Sequence, residues 1–89
     1  MAQISEVFQV YTQNKLVAQV VLNGYDIAPG QLLRQHGAMR SFKIVKGDLW
    51  DYWSVQTPLT LQNKTGETAP IKVAALPVDD ESFGLIEFL

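Results

Sequence analysis

Residues 41–56, SFKIVKGDLWDYWSVQ, hold both tryptophans and one of the three tyrosines of the 89-residue chain, and they constrain its fold more than any other stretch. Gly47-Asp48 lies between two runs rich in β-branched and aromatic residues. A two-residue loop with glycine first suits a type II′ turn, where the leading position needs a positive φ. Counting outward from such a turn sets Lys46 opposite Leu49, Val45 opposite Trp50, Ile44 opposite Asp51, Lys43 opposite Tyr52 and Phe42 opposite Trp53. Directly opposed side chains share a face of a hairpin. One face then carries Phe42, Ile44, Leu49, Trp53 and Val55. It is the expected core side, since burying one such side chain stabilises by roughly 1.5–3 kcal/mol.

Asp51 also falls on that side. An unpaired buried carboxylate is costly, so Asp51 is read either as hydrated or paired at a sheet margin, or as a functional acid in a cleft. The opposite face carries Ser41, Lys43, Val45, Trp50, Tyr52 and Ser54, too polar for a core and too aromatic for an ordinary solvated surface. Lys43, Trp50 and Tyr52 are therefore the candidate ligand-binding residues: large rigid rings with polar handles, and a lysine placed for a cation–π contact with Tyr52. The competing expectation is that the helix or another strand covers Trp50.

The flanking segments place this hairpin in a β-rich chain. Residues 4–12 and 16–22 read as two strands joined by a turn at Gln13-Asn14-Lys15. A three-residue loop puts Phe8, Val10, Leu16, Ala18, Val20 and Leu22 on one face and Val7, Gln9, Tyr11, Val17, Gln19 and Val21 on the other. That second face is also largely apolar, and a strand apolar on both sides is normally covered on both sides. A homodimer is the expected cover, although a closed barrel meets the same need. Pro29 and Gly37 bracket a helix of about two turns, with Leu32, Leu33 and His36 on one face. His36, the only histidine, is read as packing beside leucines at a helix C-terminus, since one imidazole is insufficient for a zinc site. Met39 is read as a core gap-filler.

Beyond residue 56, Leu59 and Leu61 begin a third hairpin, a polar loop follows at residues 63–68, and Ile71, Val73 and Ala75 form the returning strand, ended by Pro77. Asp79-Asp80-Glu81-Ser82 reads as an acidic surface turn, since calcium-loop spacing is absent. Residues 83–89, apolar to the last, are expected to add a strand to a sheet. The fold class is thus α+β: a single domain over residues 1–89, antiparallel hairpins in an order close to ββαβββββ, one short helix, and a partly open barrel as one arrangement.

Composition narrows function mainly by exclusion. The chain has no cysteine, which removes thiolate metal sites and thiol nucleophiles. It has no recognisable signal peptide and no run near the ~20 apolar residues of a membrane span, so a soluble, cytoplasmic protein is expected. A formal charge of −2 argues against general nucleic-acid binding. Arg34, Arg40, Lys43 and Lys46 nevertheless cluster apart from Asp79, Asp80 and Glu81, giving an expected basic side and acidic side. Phosphate loops, nucleophile elbows, HExxH pairs and Cys/His clusters are missing, so neither cofactor nor metal is expected.

The function expected is a non-enzymatic binding or assembly module, in general look like small bacterial or phage-encoded domains, that uses the Lys43/Trp50/Tyr52 face to contact a protein or small ligand. One alternative is a small acid–base enzyme around Asp51, with His36, Tyr25 or Asp26 nearby. Another is carbohydrate or single-stranded nucleic-acid binding by stacking on Trp50 and Tyr52.

Overall fold

The computed structural model of the chain describes residues 6–22, 30–79 and 82–89. Six strands, β1 (Val7–Thr12), β2 (Lys15–Leu22), β3 (Met39–Gly47), β4 (Leu59–Gln62), β5 (Thr68–Ala75) and β6 (Gly84–Phe88), form a closed antiparallel barrel in the ring order β1-β2-β3-β6-β5-β4. The ring is the meander β1–β3 joined to the meander β4–β6 at two seams, β1 with β4 and β3 with β6. Exchanging the two meanders leaves the ring order unchanged.

Period-two alternation explains the interior. Phe8 and Val10, Ala18, Val20 and Leu22, Phe42, Leu59 and Leu61, Ala69, Ile71 and Val73, and Ile86 and Phe88 are all buried, while the residues between them face outward. Closure leaves no edge strand over most of the ring and covers the inward side of β1 and β2. The barrel expected as partly open is closed. Three register breaks accompany the closure, at Val17 against β1, Val45 against β2 and Ala74 against β6. Such bulges add the local twist and bend that curl a sheet on itself.

The first hairpin turns in two residues, not the three expected. Gln13 (φ 49°) and Asn14 (φ 67°) are both left-handed, as a type I′ turn demands. The bulge at Val17 restores the register, so the expected inward set is kept except Leu16, which is 46% exposed. The hairpin of residues 59–75 and the C-terminal strand form where expected. The polar loop of the former is held by Asn63, whose buried Oδ1 accepts from the backbone N–H groups of Thr65 (3.1 Å) and Glu67 (2.8 Å) and from the Thr65 hydroxyl (2.9 Å).

The central hairpin does not form. β3 ends at Gly47, and residues Trp50–Ser54 are a short helix, α1, so the strand count is six and not seven. Gly47 does have a positive φ (92°), but for a different reason than a turn. A Cβ there would meet the Val17 carbonyl oxygen and lie 2.7 Å from the Cα of Ala18, so the glycine admits close approach of β2. Asp48 Oδ1 then accepts from the Trp50 N–H (2.9 Å), and Trp53 N–H donates to the Leu49 carbonyl (2.9 Å), starting the helical turn. Leu49, Tyr52 and Trp53, spaced i, i+3 and i+4, pack on the barrel core.

The other expected helix is a single 3-10 turn, Leu32–Gln35. Three residues per turn stack Leu33 and His36 on the same side. Both are exposed, while Leu32 is fully buried. His36 is therefore not buried with Leu32. Met39, expected in the core, is 47% exposed at the start of β3. Leu32, ahead of β3, and Leu49, beyond its end, are both fully buried members of the core cluster. Pro29, Tyr25, Asp26, Asp80 and Glu81 lie outside the described residues. Among the described residues no helix is long and apolar enough to cross a membrane.

Candidate functional site

The helix α1 decides where the candidate residues go. Trp50 and Trp53, three apart on α1, have ring centroids 5.1 Å apart with planes tilted by 53°, and so lie on the same side and not on opposite faces of a ribbon. Trp50 is 56% exposed. Tyr52 is half-buried and packed against the core. Lys43, on β3, is half-buried, and its Nζ lies 5.5 Å from the centroid of the Phe83 ring, which takes the cation–π role expected for Tyr52.

Trp50 and Trp53 form one wall of an apolar groove of about 450 Å³ whose other wall is Ala74–Val78, the end of β5 and the chain leaving it. Val78 there is 89% exposed. Across Pro77 lies a second cleft of about 300 Å³, lined by Lys43, Ile44, Gly47, Pro77, Asp79 and Ser82. Lys43 and Trp50 thus occupy neighbouring depressions that share one proline, while Tyr52 lines neither. The same cleft brings Lys43 and Asp79 together, so the expected separation of a basic side from an acidic side does not hold for this pair.

Trp53, Leu76, Pro77 and Val78, which line the groove, are not among the candidate site residues read from the sequence. The spacing of Leu49, Tyr52 and Trp53 was the available signal, because it is the stripe of a helix as much as an alternation of a strand.

Asp51 does not face the barrel interior: it is exposed in the first turn of α1, with its backbone carbonyl accepting from the Ser54 hydroxyl (3.1 Å). His36 lies before β3 and Asp51 after it. Among the described residues, none of the clefts above or below is lined by either of them. Among the described residues no group of three or more His, Asp or Glu is placed to hold a metal ion.

A further cleft lies elsewhere on the barrel. About 490 Å³ in volume, it is lined by Tyr11, Gln13, Asn14, Thr60, Gln62 and Thr68 on the outer surface of β1, β4 and β5.

Comparison with known proteins adds no relative: no family model, no curated protein and no solved structure matches the chain.

Proposed function

We propose that the chain is a non-enzymatic binding or assembly module whose contact surface is the Trp50–Trp53 groove, and that its first partner is a second copy of itself. The observation that carries this is Trp50, a large ring more than half exposed at the start of a helix whose preceding residue, Leu49, is fully buried. Leu49, Tyr52 and Trp53 anchor this segment on the core, and Trp50 is presented outward. All seven groove residues, Trp50, Trp53 and Ala74–Val78, are uncharged and apolar. Exposed apolar surface of this kind is costly in water, and tryptophan is enriched at the energetic centres of interfaces. A small barrel also gains stability by covering such a patch. Lys43, in the adjoining cleft, gives that surface a charged margin for a protein or small ligand.

The test is light scattering across a concentration series on the native chain and on Trp50→Ala. The expected result is a dimer of the native chain that dissociates on dilution, with Trp50→Ala monomeric and its circular dichroism unchanged. A native chain that stays monomeric throughout, or a variant that dimerises equally well, overturns the assignment of this surface.

A further inference from the structure

The 490 Å³ cleft on the far side of the barrel wall from the core has a lining of one chemical kind. Tyr11 and Thr60 are register partners across the β1–β4 seam, and Gln62 and Thr68 are partners across β4–β5. Each of these side chains points outward because its neighbours Val10, Leu61 and Ala69 point in. Gln13 and Asn14 complete the lining from the β1–β2 turn.

These six groups are three hydroxyls and three carboxamides. Every one can both donate and accept a hydrogen bond, and none carries charge. A phosphate or nucleic-acid ligand would call for lysine or arginine in the lining, and an aliphatic ligand for apolar walls. The ligand that matches is neutral and polyhydroxylated, with groups that also donate and accept, and with C–H faces that can lie on the negative face of the Tyr11 ring. The volume falls within the range of small-molecule sites. Its walls are preorganised: four of the six residues stand on paired strands, and the other two are fixed by left-handed backbone at φ 49° and 67°.

We propose that this cleft is a binding site for a neutral carbohydrate, with Tyr11 as the stacking platform and Thr60, Gln62, Thr68, Gln13 and Asn14 as the hydroxyl-reading groups. It is independent of the Trp50 groove, and either assignment can fail without the other.

The experiment is an amide-detected NMR titration of the full chain with maltohexaose, cellohexaose and chitohexaose separately, each at low and high salt. The expected result is saturable shifts confined to residues 11–14, 60–62 and 68 with at least one of the three sugars, at the same affinity in both salts. Tyr11→Ala should weaken that binding about tenfold or more. Thr60→Val, which keeps shape and removes a hydroxyl, should weaken it without altering the remaining spectrum, so that a misfolded Tyr11→Ala does not decide the matter. No saturable shift with any of the three sugars, or equal affinity in both variants, overturns the proposal. So does a shift of these amides on raising protein concentration without sugar, which would assign the cleft to contact with another copy.

Discussion

Gly84→Ala is the sharpest test of how the barrel closes. Gly84 opens β6 and faces Phe42 of β3 across the seam between the two meanders. A Cβ built there would meet the Ala75 carbonyl oxygen and lie 2.7 and 2.9 Å from two atoms of the Phe42 ring. Relief requires movement of both neighbours. The Phe42 ring is fully buried, so it has no empty space to turn into. Ala75 is paired with Leu85 of β6, so its carbonyl shifts only if the β5–β6 ladder shifts with it. A clash that cannot relax locally belongs at the top of the overpacking range, about 3 kcal/mol. For a domain of this size each kcal/mol lowers Tm by roughly 4–8 °C, so the expected fall is at least about 12 °C. Gly66→Ala is the control: Gly66 has φ 91° but open space around its Cα, so it costs only the left-handed strain of about 1–2 kcal/mol. Thermal melts by circular dichroism read both. A Gly84→Ala melt no lower than that of Gly66→Ala would refute the claim that steric closure at this glycine governs the seam.

Leu49→Ala should cost about 2–5 kcal/mol, because Leu49 is fully buried and is the anchor of α1; a urea midpoint indistinguishable from the native one would show that α1 is not held this way. The Glu67 carboxyl is held below the usual carboxylate range, chiefly by the Gly30 backbone N–H (2.7 Å), then by the Asn63 amide (2.8 Å) and the Thr65 hydroxyl, with partial desolvation pulling the other way. Its folded pKa is depressed, so its contribution is complete above the unfolded value of about 4.3 and is lost as pH falls through the lower folded value. Urea midpoints measured downward from about pH 6 should therefore drop less steeply below about pH 4 in Glu67→Gln than in the native chain, and parallel acid limbs would contradict this.

The barrel strands were legible because their signal is redundant. In β1, β2, β4, β5 and β6 alternation, turn residues and chain-end apolarity agree, and even a one-residue error in the first turn was absorbed by the bulge at Val17. Residues 48–54 were misread because two periods fit them. Leu49, Trp53 and Val55 alternate like a strand, and Leu49, Tyr52 and Trp53 stripe like a helix; aromatic content and Gly47 favoured the former. What decided between them was nonlocal: β2 comes so close at Gly47 that only a glycine fits, and Leu49, Tyr52 and Trp53 find their packing on the barrel core. Asp51 and Tyr52 followed that error. Trp50 remained exposed for a reason the sequence did not supply. The neutral cleft was invisible for another reason, since its residues come from β1, the β1–β2 turn, β4 and β5, and no single segment displays the pattern.

The interchangeable halves of the ring bear on how the molecule assembles. Each half is a three-stranded ribbon that would leave one greasy side bare, and the two long-range joins, β1 with β4 and β3 with β6, hide it. Cleavage between Val55 and Thr57, where α1 passes from one half to the other, would leave two pieces that should each be unstructured alone and regain the native fold when mixed.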